Sequence, residues 1–530
     1  MSANFGELIP STCIETVPGD HIEMQASDLI RAIPMVTSPF MRAKQHIDVW
    51  FVPFKDLWHQ FDSFIVKKSQ PVSSALQDSS YLPYFNLYNL WNSCRTRSSA
   101  GDTDIIGRAL KLGSDRLLNY LGYGYSQLGT GPTQVSCNPF RLAAYNYIWY
   151  NEYRQQYYDN GMHNLTSPNA SYLFNFDDLQ CNTLANAEIS SSQRLAAMSQ
   201  MRYRCWKKDL YTGLMPSTQF GSVSTISTVV SEHGLSAVGT YSVNSSITSK
   251  GNVTSPSIGE ANGGFYYDVS PQSFDVLALR RSEAIQIWRE NALRAGNCVA
   301  DNMMAHYGIA SDFEDHRPTY LGSVSSPLNI GDVMATANSD YSGNTNPNTN
   351  VGDIAGKGLS SLDEKVFKFD SKDFGVIMAI SSILPEAEYN AQGVSRPNQL
   401  LEAEDFFVPE YENLGLEAVS SQTFVNTATT AAKVVGYAPR YWSYKIKLDK
   451  CYDIFRTGGI NAPWCSPKFD VSAALASPPS SLPLSTLYVN PKIFDVNFAV
   501  GVDVQPQFLC DYYFDVDAVR PMSVVGLPFS

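Results

Sequence analysis

The fold is constrained most by the distribution of predicted strands. They lie toward the two ends of the chain, and the long middle has few of them. Near the amino end, residues 21–35 (HIEMQASDLIRAIPM) and 46–54 (HIDVWFVPF) are typical of strands bounded by Pro or Ser-Pro. Further strands are predicted at residues 364–369, 375–383, 440–448, 492–498 and 512–516. The β framework is therefore discontinuous in sequence, and its two parts must meet across the middle.

The middle of the chain carries helical periodicity instead. Leu142, Tyr145, Trp149 and Tyr153 recur at spacings of three and four residues, as one apolar face of a helix requires. A second helical region is predicted over residues 275–307, broken near Gly296.

Residues 217–264, between these helical regions, have an unusual composition. Of these 48 residues, 28 are Ser, Thr, Gly or Asn, and only Glu232, Lys250 and Glu260 are charged. Such a segment cannot bury a core of its own, but its interspersed Val and Ile residues allow short exposed β pieces. It is interpreted as a projecting loop, and residues 323–360 are interpreted in the same way. A plain disordered insertion is the alternative for both segments.

The charge balance limits the partners of the chain. The 38 basic and 51 acidic residues give a net charge of −13, which excludes a protein whose whole face binds nucleic acid. Only 17% of the residues are charged while 12% are aromatic, a composition that suits surfaces buried by other subunits.

The positions of the cysteines and the sequence at the amino end indicate the cellular compartment in which the chain is made. The nine cysteines are scattered without a CxxC pair and are predicted to be reduced, mostly buried thiols. The opening MSANFGELIPST has neither the basic nor the apolar region of a secretory signal, so synthesis in a cytoplasm is expected.

Motifs for catalysis or metal binding are weak. HExxH and GxSxG do not occur, and the seven histidines lack the spacing of metal ligands, so neither a metal site nor a cofactor is predicted. Carboxylates such as Glu386 and Glu388, close to Tyr389, are compatible with a glycosidase or a carbohydrate-binding protein. Acidic loops are more often solvated surface, so no catalytic residue is assigned and the chain is not predicted to be an enzyme.

Residues 202–208 (RYRCWKK) are the best local candidate for a nucleic-acid contact. Four cations alternate there with two aromatic rings in an otherwise acidic protein. Cations would meet phosphates while rings stack on unpaired bases, which suits single-stranded DNA. The predicted contact residues are Arg202, Arg204, Trp206, Lys207 and Lys208. Structural arginines that pair with acidic neighbours are the alternative.

Blocks along the whole chain carry a family resemblance. Residues 8–58, which include IETVPGDHIEMQASDLIRAIPM, closely resemble the opening of the gokushovirus-type Microviridae major capsid protein. Residues 140–156 (FRLAAYNYIWYNEYRQQ), 204–216 (RCWKKDLYTGLMP), 316–330 (HRPTYLGSVSSPLNI) and 434–450 (VVGYAPRYWSYKIKLDK) are similar to later blocks of that family, in the same order. Residues 386–424 and those after 464 depart from the family pattern.

The resemblance implies a mainly β fold, an eight-stranded antiparallel jelly roll (a viral β-barrel) with long interstrand excursions that contain helices. It implies a single capsid domain over residues 1–530. The strand-rich ends, 1–85 and 361–530, would form most of the jelly roll, and residues 86–360 would form long excursions. Residues 217–264 are the candidate for a protrusion at the threefold axes.

The resemblance also implies a function and a set of partners. Copies of the chain would tile a T=1 icosahedral shell around a circular single-stranded DNA genome, and a surface loop would recognise the host cell surface. Minor phage proteins, including a small basic DNA-binding protein and a pilot protein, would be further partners. The chain would be a virion component, synthesised and assembled in the bacterial host cytoplasm. A host-attachment protein that never builds a shell is the remaining alternative.

Overall fold

Eight strands from distant parts of the chain form one antiparallel sheet in the computed structural model. The structure describes residues 1–58, 61–66, 82–97, 114–124, 135–159, 192–219, 276–295, 299–308, 317–334, 354–425, 433–465, 468–469 and 484–522. The strands of the sheet are β1 (Ser2–Ala3), β2 (Ile9–Thr16), β3 (His21–Ala32), β4 (Ala43–Pro53), β5 (Thr319–Met334), β6 (Ile354–Asp370), β7 (Gly375–Pro385) and β8 (Phe508–Val519).

The pairing of these strands is nested. The first strand pairs with the last, β2 with β7, β3 with β6, and β4 with β5. Further ladders join β8 to β3, β6 to β5 and β4 to β7, so the order across the sheet is β1-β8-β3-β6-β5-β4-β7-β2. A long hairpin that is folded over and rolled up gives this topology, which is that of a jelly roll. The predicted fold class is confirmed.

The centre of the roll follows from side-chain alternation. Along β3 the residues Ile22, Met24 and Ala26 are buried, whereas their neighbours point toward solvent. They meet Ile47 and Val49 of β4 in one apolar cluster, so the two halves of the sheet face each other across it. The sequence of this strand alternates apolar and polar residues, as expected for a strand with one face in the core and one face exposed to solvent.

One half of the sheet is buried on both of its faces. In β7, Ile377 and Ala379 point into the roll, while Val376, Met378 and Ile380 pack against a layer of helices. Such a strand has no polar face, and its sequence is therefore almost continuously apolar.

The helices belong to the excursions between strands. The α-helices are Phe54–Leu57, Phe61–Ile65, Leu87–Arg97, Ser114–Tyr120, Phe140–Ile148, Ser192–Met198, Val276–Ala295, Val299–Tyr307, Trp442–Lys445 and Leu484–Leu487 in the described part of the chain. A π-helix, Trp149–Tyr153, continues Phe140–Ile148. Both predicted helical regions are confirmed, whereas the break predicted near Gly296 lies outside the described residues. None of the helices among these residues has the length and apolar character needed to cross a membrane.

Short elements complete the excursions. Two small antiparallel pairs join Phe85–Asn86 to Ser136–Cys137 and Leu416–Ser420 to Val434–Pro439. A three-stranded parallel sheet has the order Lys450–Cys451, Glu388–Asn390, Lys468–Phe469. Single 3-10 turns lie at Arg396–Gln399, Ala403–Asp405, Pro409–Tyr411, Ser421–Thr423, Asp453–Phe455, Ala462–Trp464 and Pro491–Val496.

Two predicted strands are wrong. Residues 440–448 contain the short helix Trp442–Lys445, which follows Tyr441 at a left-handed φ of 59°. Residues 492–498 lie mostly in the 3-10 helix Pro491–Val496, where the Asn490 side chain accepts a hydrogen bond from the Lys492 backbone N–H. Proline at the first helical position and asparagine at the cap favour helix over strand.

The interpretation of residues 323–360 as a loop is wrong at both ends of the segment. Residues 323–334 belong to β5 and 354–360 to β6, while residues 335–353 lie outside the described part. Val324, Ser326 and Leu328 alternate inward, and the hydroxyls of the buried Ser326 and Ser360 hydrogen-bond each other at 2.7 Å. Serine pairs across strands let a polar sequence enter the sheet.

The positions of the eight strands can be compared with the expected division of the chain into strand-rich ends and a middle of long excursions. Six of the eight strands lie wholly within residues 1–85 or 361–530, β6 begins slightly before 361, and β5 lies within 86–360. The domain boundaries stay a prediction. Of the expected protrusion, 217–264, only residues 217–219 belong to the described part.

Candidate nucleic-acid interface

The basic segment 202–208 lies between two other parts of the chain. The Leu8 N–H donates to the Arg202 carbonyl at 2.9 Å, and the Arg204 N–H donates to the Gly6 carbonyl at 2.7 Å. On the other side, the Val489 N–H donates to the Arg204 carbonyl at 3.0 Å. These backbone bonds fix the direction of every side chain in the segment.

Arg202 is directed into the protein and is only 3% exposed. Its guanidinium donates to the Asn146 side-chain oxygen at 2.9 and 3.1 Å, to Gln200 Oε1 and to the Ala197 carbonyl, and it lies over the Trp149 ring at 4.2 Å. Burial lowers the pKa of Arg202 to about 10, which still leaves it charged at neutral pH. A phosphate cannot reach this group in the folded chain.

Trp206 is also buried, with 2% of its surface exposed. It belongs to the apolar cluster that contains Leu210, Tyr211 and Leu487. Its ring is therefore core, and it offers no face on which a base could stack.

The other three predicted residues, Arg204, Lys207 and Lys208, line an open pocket of about 600 Å³. We call it the β4 pocket, because alternate residues of β4 form its floor. Its lining consists of Lys44, His46, Asp48, Trp50, Glu152, Tyr153, Arg204, Cys205, Trp206, Lys207, Lys208, Tyr320, Leu384, Pro385 and Glu386. Its volume is in the range of sites that hold small molecules.

The acidic residues of the pocket are largely engaged by neighbours. Asp48 accepts hydrogen bonds from the Tyr153 hydroxyl at 2.8 Å and from Arg204 at 3.1 Å. Glu386 lies 3.4 Å from Arg42 and 3.6 Å from Lys207. Burial raises the pKa of the third carboxyl, Glu152.

The cations of the pocket are less restrained. Lys44 and Lys208 form no ion pair within the described residues, and the Lys207 side chain is largely exposed. Burial and the nearby Arg204 guanidinium lower the pKa of His46, so this ring stays neutral at neutral pH. The pocket can therefore attract an anion through Lys44, Lys207 and Lys208, although its total charge is modest.

An aromatic face is present, but the basic segment does not supply it. Tyr320 of β5 is 52% exposed, and its ring centre lies 4.9 Å from that of Trp50 in β4. An exposed tyrosine beside lysines is the combination that single-stranded nucleic acid uses. Sequence reasoning missed Lys44 and Tyr320, because only the packing of β4 beside Arg204 brings Lys44 near, and only the β4–β5 pairing brings Tyr320 near. Period-two alternation of β4 was the one available signal for Lys44.

The geometry does not favour the glycosidase interpretation. Glu386 lines the pocket, but its carboxylate is engaged by two cations, Arg42 and Lys207. Glu388 is outside the pocket lining and contacts the thiol of Cys451 at 3.3 Å. The two carboxylates therefore occupy different environments and do not flank one cleft.

Comparison with known proteins gives the family. The family model described as capsid protein (F protein) of phages matches residues 1–84 and 120–529. The chain belongs to this phage capsid protein family. The matched residues include all eight strands of the jelly roll and every residue that lines the β4 pocket.

Two phage capsid proteins are similar to this chain. Capsid protein VP1 of Chlamydia phage 1 is 26% identical over 274 residues, which are 50% of this chain and 44% of that protein. The chain thus spans less than half the length of this relative. Capsid protein VP1 of Bdellovibrio phage phiMH2K is 22% identical over 539 residues, covering 99% of this chain and 92% of that protein. The resemblance to Microviridae capsid proteins is confirmed, and capsid proteins of phages are components of the virion.

Proposed function

We propose that copies of this chain tile a T=1 icosahedral shell around a circular single-stranded DNA genome, and that the chain has a structural and not an enzymatic role. The observation that carries this proposal is the nested eight-stranded jelly roll in a member of the phage capsid family. A shell of identical subunits needs contacts that close by rotation, and a rigid roll with long surface excursions supplies fixed platforms for them.

Exposed apolar side chains support self-association. Those in the excursion between β7 and β8 include Leu401, Phe406, Phe407, Leu414, Tyr444, Tyr452, Ile454 and Ile460. Isolated exposed apolar residues are ordinary, whereas those that lie close together mark surface that another chain covers. We assign these residues to contacts with neighbouring copies.

Electron microscopy of the purified chain, and of virion fractions from infected cells, tests the shell. We expect uniform isometric particles that contain this chain and fit a T=1 lattice. Only monomers or trimers, even in virion fractions that contain DNA, would contradict the proposal and favour a host-attachment protein.

We further propose that the β4 pocket contacts the single-stranded genome. Lys207, Lys208 and Arg204 supply positive charge, together with Lys44, and Tyr320 offers a ring for stacking. Arg202 and Trp206 have positioning roles in this proposal, since Arg202 is buried outside the pocket lining and Trp206, within the lining, is only 2% exposed.

Replacing Lys207 and Lys208 together by glutamine should weaken binding of a short single-stranded DNA without changing the fold. Two lost phosphate contacts should reduce the slope of log K against log salt by about 1.4, given roughly 0.7 for each contact to a single strand. Fluorescence anisotropy across a salt series measures both the affinity and the slope.

A matched control removes two exposed lysines from the outer face of β6, Lys365 and Lys368, both of which lie against Glu23. The variant Lys365→Gln/Lys368→Gln should keep the wild-type slope. Equal losses of slope in the two double variants would contradict a local contact and indicate general electrostatic attraction.

The remaining partners also belong to the proposal. With a net charge of −13, the chain needs other cations to neutralise a packaged genome, which agrees with a small basic DNA-binding protein beside it. A pilot protein, assembly in the bacterial cytoplasm and recognition of the host surface by residues 217–264 complete the proposed cycle. An outward loop rich in Ser, Thr and Gly can vary without disturbing the roll.

A further inference from the structure

Three metal-ligating side chains meet in the excursion between β7 and β8. Glu388, Cys451 and Cys465 each place one ligand atom within 4.8 Å of the other two. The Cys451 thiol lies 3.3 Å from a Glu388 carboxylate oxygen, and the Cys465 thiol contacts both of these groups. Cys451 is buried and the other two residues are half-buried.

The backbone around this cluster is anchored on every side. Glu388 and Cys451 lie on adjacent parallel strands, in which Asn390 is in register with Cys451. Cys465 follows the 3-10 helix Ala462–Trp464, which is held by a 2.7 Å bond from the Phe40 N–H to the Trp464 carbonyl. The Asn497 amide adds a 2.7 Å bond to the Pro463 carbonyl. The three ligands thus come from separate segments that the fold holds together.

The spacing of the ligand atoms fits a tetrahedral metal. Zn²⁺ lies about 2.3 Å from a cysteine sulfur and about 2.0 Å from a carboxylate oxygen, so its ligand atoms are roughly 3.5 Å apart. The distance of 3.3 Å between Cys451 Sγ and Glu388 Oε2 is close to this separation. Two sulfur ligands also favour Zn²⁺ over Mg²⁺ or Ca²⁺, which prefer oxygen alone.

We propose that Glu388, Cys451 and Cys465 form a Zn²⁺ site that staples the excursion between β7 and β8. The two thiols release their protons to solvent as the ion binds, and a water molecule or the second Glu388 oxygen completes the tetrahedron.

The staple would act on a loop that faces outward. Cys451 and Cys465 flank residues 452–464, which display the exposed side chains Tyr452, Ile454 and Ile460. A metal at the base of this loop would fix the presentation of its apolar tip to whatever covers it.

Metal analysis of the full-length chain tests the site, whether or not particles form. The chain is purified under reducing conditions, loaded with Zn²⁺, passed through a desalting column and measured by mass spectrometry of the metal. We expect about one zinc ion per chain in the wild type, loss of that ion in Cys451→Ser and Cys465→Ser, and an affinity lower by about tenfold or more in Glu388→Gln. Co²⁺ in place of Zn²⁺ should give the near-ultraviolet charge-transfer band of thiolate ligands.

Cys510→Ser is the matched control, since Cys510 is as buried as Cys451 but lies in β8. It should keep the ion. Zinc uptake that is absent from the wild type, or equal in all variants, would overturn the proposal. Glu388→Gln keeps a hydrogen-bond acceptor for the Cys451 thiol, so it reports on the site even where a cysteine variant fails to fold.

Discussion

Replacing Arg202 by methionine should lower the free energy of unfolding by roughly 3 kcal/mol, because hydrogen bonds to a buried charge are lost and their acceptors are left unsatisfied. The acceptors that lose their donor are the Asn146 and Gln200 side chains and the Ala197 carbonyl, and Trp149 loses its cation. Urea unfolding followed by tryptophan fluorescence measures the loss.

The companion variants separate a structural role from a DNA-binding one. Arg202→Lys keeps the charge but not the planar fork, and it should also be destabilised. Lys207→Met, on the exposed side of the same segment, should change stability by less than about 0.5 kcal/mol. If Arg202→Met kept the wild-type urea midpoint and lost only affinity for DNA, the structural assignment of Arg202 would be wrong.

Replacing Phe5 by alanine should have a comparable or larger effect, about 3–5 kcal/mol, because it opens a cavity where β1 closes on β8. The Phe5 ring is fully buried, with its centre 4.1 Å from that of Phe494 and 4.7 Å from that of Phe508. Its N–H also donates to the buried Gln507 side chain at 3.2 Å. The loss should appear in the urea midpoint.

The reactivity of a cysteine near Phe5 gives a local measurement beside the urea midpoint. Cys510 is buried in the same apolar cluster as Phe5, so its thiol should react with a labelling reagent much faster in Phe5→Ala than in the wild type. Phe5→Leu fills most of the space, and its cost should stay below about 1.5 kcal/mol. Unchanged Cys510 reactivity in Phe5→Ala would show that the edge of the sheet is held by other contacts.

The elements that the sequence predicted are those whose local pattern and tertiary environment agree. β3 alternates because one face meets solvent, and β7 is apolar throughout because both faces are covered. β5 was missed because its inward residues include serine, and only a partner strand makes a buried hydroxyl acceptable. Residues 440–448 alternate like a strand, but the left-handed Tyr441 ends the extended backbone before Trp442.

The candidate sites were harder to predict, since each depends on direction or on distant partners. Composition singled out the basic segment, yet it could not tell that Arg202 points inward while Lys207 points outward. Glu388 and Cys451 share no spacing motif, and only two adjacent parallel strands bring them together. Spacing motifs for metal ligands detect ligands that lie on one local element. They did not predict this cluster, because its ligands come from separate segments.

The nested pairing of the strands has a consequence for how the protein is made. None of β1 to β4 meets its nested partner until the ribosome has reached β5 at Thr319, and Ser2 waits for Leu509. At roughly 5–20 residues per second, that last interval is on the order of a minute. Until their partners are made, the apolar strands β2, β3 and β4 remain without these ladders, at risk of pairing with neighbouring polysomal chains. The roll is therefore closed only after β8 has been made, and its yield in the cell should depend on chaperones that hold the amino-terminal strands until then.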